Sequence, residues 1–301
     1  SLTRGSLRVL GTAAGAASAW LLASHVTLTP PLLSAALVLV GVATLYLALV
    51  SRHSYAWLFT GLTFSMVLLD GMEHPAEALD VFARSRFVEV FTGTFAAVLV
   101  SAVTTATVRR RLLHDVAETS AQAVARKRAP WHRAAFAHAA QGAIALGLIP
   151  WVWAWFGMEA LSQSSTTIMA VLMVPLASLS TPVNTTRMKL VHRFVGCCLG
   201  GLLATGALLV THDRPLAMTL AVCIGVVVGR HLENGSLGIG YVGTQFALAF
   251  LVVLVPDTYF SVNTQVGLDR LFGVVFGMVL LEPVRLVFQL VMSRWTRSRE
   301  G

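Results

Sequence analysis

Long apolar runs separated by short polar connections dominate the chain. Leu32–Val50, Gly196–Val210 and Ile239–Val255 are interrupted by Gly, Ser and Thr but by almost no charge. Runs of this length match the ~20 residues a helix needs to cross ~30 Å of hydrocarbon. The strands of a membrane barrel would be ~10 residues long with period-two alternation, which the chain lacks. The pattern predicts ten helices, over residues 8–25, 32–50, 54–70, 84–108, 134–157, 163–180, 188–211, 215–231, 237–256 and 268–293. The fold class expected is therefore an all-α polytopic membrane protein.

The polar connections sort by sign. Arg4, Arg52, the cluster Arg109/Arg110/Arg111 with Arg126/Lys127/Arg128/Arg133, then Arg187/Lys189, Arg230 and Arg294/Arg297/Arg299 fall on one side. The uncharged Ser24–Pro31 stretch, the acidic Asp70–Asp80 segment, Glu159, His212–Arg214 and Asp257–Asp269 fall on the other. Ten alternating spans reproduce this sorting at every connection. Basic connections stay in the cytoplasm, so both termini are predicted there, in a multi-pass protein of a bacterial inner membrane. The chain then divides into a first membrane half (1–108, four helices), a basic cytoplasmic linker (109–133) and a second half (134–301, six helices). Leu112–Arg133 reads as a basic amphipathic helix lying at the membrane surface.

Composition sharpens this reading. Apolar residues make up 56% of the chain and charged residues 12%, about half the charge fraction of a soluble domain. The net charge of +8 sits at the ends of apolar runs, as topology requires, so it argues for a lipid bilayer and against nucleic acid as the partner. Cys197, Cys198 and Cys223 all lie within apolar runs with no metal-ligand spacing, so neither a metal nor a disulfide framework is expected. Leu7–Leu22 reads as a span rather than a cleavable leader. No catalytic constellation or phosphate-binding loop stands out, and neither an enzyme nor a cofactor is expected.

Four helices open on the same pattern, Arg-x-x-(Gly/Glu)-x-x-x-Gly: Arg8/Gly11/Gly15, Arg86/Glu89/Gly93, Arg193/Gly196/Gly200 and Arg270/Gly273/Gly277. Offsets of three and seven place these residues on one helix face. Small residues four apart let a second helix approach closely, which replaces the hydrophobic force missing between helices in lipid. Val183-Asn184-Thr185 precedes Arg193, and Val262-Asn263-Thr264 precedes Arg270. The two halves therefore read as parallel repeats, each containing an inverted three-helix repeat, which is a transporter architecture. Counted in triplets, the first half is two helices short of the second. A twelve-helix parent is expected, with two N-terminal helices outside this sequence.

The segment Arg8-Val-Leu-Gly11-Thr12-Ala-Ala-Gly15 resembles the Arg-x-x-Gly-Thr-x-x-Gly signature of the fusaric acid resistance / aromatic acid exporter superfamily. That group includes bacterial hydroxybenzoate-type efflux pumps and plant malate-permeable anion channels. Cys197 replaces Thr12 in the second half, Glu89 takes a glycine position, and the linker is short. The resemblance implies an exporter of small organic anions, aromatic acids in particular. Its partners would be that anion, the bilayer, and a second copy of the chain or a periplasmic adaptor. A passive anion channel and a non-transport scaffold are the rival readings.

An ionisable group held in the bilayer costs at least ~2.5 kcal/mol, so each is a candidate. Arg86 and Arg270, at equivalent helix starts, would attract a carboxylate; the plainer role is anchoring through Asp80 and Asp269. Arg8 and Arg193 are the corresponding pair at the cytoplasmic ends, and Asn184 and Asn263 join them as pathway candidates. Glu282, Glu89 and Asp269 are candidate proton-coupling carboxylates; local pairs with Arg285 and Arg86 are the alternative for the two glutamates. Gly11, Gly15, Gly93, Gly196, Gly200, Gly273 and Gly277 are assigned to helix packing. Pro175 and Pro182 bracket a candidate break in the sixth helix.

Overall fold

A computed structural model describes residues 2–74, 79–112, 132–157, 161–175, 179, 185–211, 214–236, 238–255 and 265–300. These residues form ten helices and no strand: α1 (Leu2–His25), α2 (Pro30–Val50), α3 (Ser54–Glu73), α4 (Leu79–Leu112), α5 (Arg133–Phe156), α6 (Ser162–Leu172), α7 (Thr185–Thr211), α8 (Pro215–Asn234), α9 (Gly240–Leu254) and α10 (Gln265–Glu300). Eight of them are long and apolar enough to cross a membrane. The chain is an all-α polytopic membrane protein. The amphipathic helix expected within Leu112–Arg133 lies almost wholly outside the described residues.

Two helices are shorter than their sequence patterns predict. Within the expected span 163–180, α6 ends at Leu172 and the described residues 173–175 that follow are not helical. Pro175 offers no amide hydrogen and disfavours helix at the residue before it, and Val174 N–H turns back to the Leu172 carbonyl at 2.9 Å. The freed Met173 carbonyl accepts the Lys189 ammonium from α7. The helix expected over 237–256 is α9, of 15 residues, or about 22 Å at 1.5 Å per residue.

The chain forms two compact units that divide between Trp151 and Val152. In the first, α1 lies along α3 with Gly11 and Gly15 facing the carbonyls of Ala56 and Thr60. α2 packs on α3, and Gly41 of α2 faces Ala143 and Leu146 of α5. The Ser34 hydroxyl donates to the Gly147 carbonyl. This unit therefore takes in most of α5, which the sequence halves place after the linker. α4 leans on α1.

The second unit repeats this plan. α7 lies along α9, with Gly196 and Gly200 facing the carbonyls of Val242 and Phe246. α8 packs on α9 through Gly225 and Gly229, and α10 packs on α7. The contacts α1–α3, α2–α3 and α1–α4 thus correspond to α7–α9, α8–α9 and α7–α10. In each unit a pair of glycines one turn apart removes the side chains that would hold two helices apart, leaving close backbone packing as the attraction. The second unit also contains α6, which sits on α10: Ser164 Oγ donates to the Gly273 carbonyl at 3.0 Å, and Gly277 faces the Ser164 carbonyl and Thr167.

Candidate functional site: a buried arginine with neutral partners

Arg193 lies about two turns into α7 and is 3% exposed. Its position follows from the packing. Gly196, on the same face, admits α9 closely enough for Gln245 to reach the guanidinium. Arg193 NH1 donates to Gln245 Oε1 at 2.8 Å, and Arg193 Nε donates to Thr167 Oγ1 of α6 at 3.2 Å. Cys197 Sγ approaches the same Gln245 oxygen at 4.0 Å. Thr167 in turn donates to the Gln163 carbonyl, so its lone pair is free to accept from the arginine.

Both hydrogen-bond partners of Arg193 among the described residues are neutral. A guanidinium does not lose its proton in a protein, so the site keeps a full positive charge. Burying a charge costs several kcal/mol unless it is paired. Two side chains, from α6 and α9, therefore hold the Arg193 cation without cancelling its charge. A planar carboxylate is the ligand a guanidinium fits best, through two parallel N–H···O bonds.

Arg8 holds the equivalent place in the first unit but meets a different partner. Its guanidinium lies 4.8 Å from the centre of the Phe59 ring. Phe59 occupies the position that Gln245 has in α9, since Gly11 and Gly15 face Ala56 and Thr60 as Gly196 and Gly200 face Val242 and Phe246. Arg8 Nε is buried with no acceptor among the described residues. Arg8 lines a small pocket of about 160 Å³ with Tyr55, Gly93 and Thr94.

The other candidates sort by their surroundings. Arg86 pairs with Glu89 at 2.9 Å on a partly exposed helix surface and lies over the Phe82 ring. Asp80, expected as its anchor, pairs instead with Arg84 at 3.2 Å. Glu282 pairs with Arg285 at 2.6 Å, where the arginine side chain is 6% exposed and the carboxylate 36%. The side chains of Asp269 and Arg270 lie outside the described residues, as do Asn184 and Asn263. Gly93, expected to pack, would meet nothing within 4 Å if it carried a Cβ.

Thr167, Gln245 and the burial of Arg285 were not singled out by the sequence pattern. A lone amide in the otherwise apolar run Ile239–Val255 is the signal that marks Gln245. Thr167 lies among several hydroxyls, and nothing local distinguishes it.

Residues 1–129 match the Fusaric acid resistance protein family, and residues 149–281 match a group described as Fusaric acid resistance protein-like. One match falls in each compact unit, apart from the last three residues of α5 before the boundary. No curated protein and no solved structure matches the chain.

Proposed function

The chain belongs to the fusaric acid resistance protein family, whose members are membrane transport proteins, and from that premise we propose that it exports small organic anions, aromatic acids in particular, from the bacterial cytoplasm. The observation that supports this reading is Arg193, a buried guanidinium held by an amide and a hydroxyl. An anion entering lipid must shed water, and a fixed positive charge on its route lowers that barrier. In this reading the substrate carboxylate takes the place of the Gln245 oxygen on Arg193, then yields it back on leaving. Exchange of one acceptor for another keeps the arginine satisfied throughout, so neither state strands a bare buried charge.

The remaining assignments follow from the same reading. The basic connections and both termini face the cytoplasm. A proton gradient is sufficient to drive export: one charge crossing 100 mV is worth about 2.3 kcal/mol, or roughly a fiftyfold gradient. Arg86 and Glu89 form a partly exposed ion pair on α4.

The test is efflux of labelled benzoate from cells expressing Arg193→Gln or Arg193→Lys at equal abundance. Arg193→Gln is expected to abolish efflux, and Arg193→Lys to retain part of it, because an ammonium keeps the charge but not the planar fork. Export by Arg193→Gln at the parent rate would sink the assignment. Efflux by the parent that survives an uncoupler would make it a channel.

A further inference from the structure

A second cation of α7 lies between the same two helices as Arg193. Lys189 stands one turn nearer the start of α7, about 6 Å along its axis at 1.5 Å per residue, and residues four apart share a helix face. Its ammonium donates to the Met173 carbonyl, which the end of α6 leaves free, and lies 5.6 Å from the centre of the Tyr241 ring of α9. Tyr241 and Gln245 are likewise four residues apart on α9. Two levels are thus stacked along the helices. Each is a cation of α7 held between a neutral group of α6 and a neutral group of α9.

Like charges four apart on a helix oppose one another, and no carboxylate among the described residues pairs with Lys189 or Arg193. A purely structural contact would be made as well by neutral side chains, so the pair of cations points to an anion. The first unit carries the same outer level. Arg4 precedes Arg8 by four residues, Tyr55 precedes Phe59 by four, and Arg4, Arg8 and Tyr55 line one pocket. There the Tyr55 and Phe59 rings pack 4.8 Å apart. A basic residue and a tyrosine therefore recur at the outer level of both units, whereas the amide of the inner level belongs to the second.

We propose that Lys189 forms a second anion subsite, which a carboxylate meets before it reaches Arg193. The proposal rests on the exporter reading above and assigns the cytoplasmic end of the same route. An ammonium has three N–H donors, and Met173 is the one acceptor that Lys189 has among the described residues. A carboxylate binds the remaining hydrogens without displacing that carbonyl. The carbonyl and the Tyr241 face hold the ammonium in place and leave its charge intact. An anion accepted there gives up part of its water against one charge while the next stands a single turn deeper, which divides the desolvation into two smaller steps. The flexible lysine stem suits a group that follows an arriving anion, and the planar guanidinium suits one that fixes it.

Two measurements decide this, both in membrane vesicles everted so that the cytoplasmic face points outwards. Lys189→Gln should raise the half-saturating concentration of labelled benzoate about tenfold, as loss of one charge-assisted hydrogen bond does, with little change in the maximal rate. Lys189→Arg should stay near the parent. In the unaltered protein, benzoate should slow acetylation of Lys189 by sulfosuccinimidyl acetate, read by mass spectrometry. Lys127, the other lysine of the chain, should be unaffected, and uncharged benzamide should protect neither. Parental half-saturation in Lys189→Gln with less folded protein recovered would make the lysine only a latch on α6 and overturn the subsite. Equal protection by benzamide, or none by benzoate, would overturn it as well. Parent vesicles without saturable benzoate uptake would overturn the exporter reading and the subsite together. Saturable uptake that Arg193→Gln abolishes and Lys189→Gln leaves unchanged would remove the subsite alone.

Discussion

Gly196→Ala is the substitution whose effect the structure determines most directly. The added methyl would lie 2.6 Å from the Val242 carbonyl oxygen and 2.7 Å from Gln245 Cβ. Ordinary C···O contacts begin near 3.3 Å and C···C contacts near 3.5 Å, so α7 and α9 must separate by roughly 0.7–0.8 Å. A gap of that width forfeits a quarter to a half of the dispersion attraction across the contact. Overpacking of this kind costs about 1–3 kcal/mol. Gly206→Ala, in the same helix, would meet nothing within 4 Å and gains the same helix propensity, up to ~1 kcal/mol. The difference between the two variants therefore isolates the packing cost, at about 1–3 kcal/mol. The same displacement stretches the 2.8 Å bond from Arg193 to Gln245 to roughly 3.5 Å, beyond hydrogen-bonding range. Unfolding in mixed detergent micelles measures the stability difference, and benzoate efflux measures the consequence for the site. Equal unfolding midpoints for Gly196→Ala and Gly206→Ala would refute the reasoning.

Three further outcomes are expected. Gln245→Glu should fold at parental abundance but lose benzoate efflux, because a permanent carboxylate neutralises Arg193; export at the parent rate would argue against an exchangeable acceptor there. Glu282→Gln should destabilise the protein more than Glu89→Gln, since Arg285 is buried and Arg86 is not. An exposed pair contributes only ~0–1 kcal/mol, so comparable melting temperatures for the two variants would count against the buried pair. In a cysteine-free background, His74→Cys should react with an impermeant maleimide added to intact cells while Arg52→Cys should not, and the reverse pattern would invert the proposed orientation.

Much of the fold was legible because lipid imposes simple rules. Apolar runs had to be helices, and small residues recurring with Arg at fixed offsets had to lie on one face. Gly11, Gly15, Gly196 and Gly200 do face the carbonyls of a neighbouring helix. The end of α6 was less legible, since Pro175 marks a break without saying how many residues before it unwind. The arginines were harder still. A local pair such as Arg86–Glu89 follows from spacing three apart. The surroundings of Arg193 depend on α6 and α9, and Gln245 lies 52 residues away along the chain. Gly93 shows the limit of the pattern, because a motif fixes the face a glycine occupies and not whether another helix lies against it.

The contrast between Phe59 and Gln245 bears on how such a chain diverges after its gene doubles. Both residues stand over an arginine at the same place in the repeat: in one unit an amide oxygen accepts from the guanidinium, and in the other an aromatic face covers it. After duplication, the ancestral scaffold can keep its backbone interlock in both copies while its recognition chemistry drifts in either. A chimera assembled from two second halves would carry two amide-held cations, and one assembled from two first halves would carry none. The halves are alike as architecture and no longer interchangeable as parts.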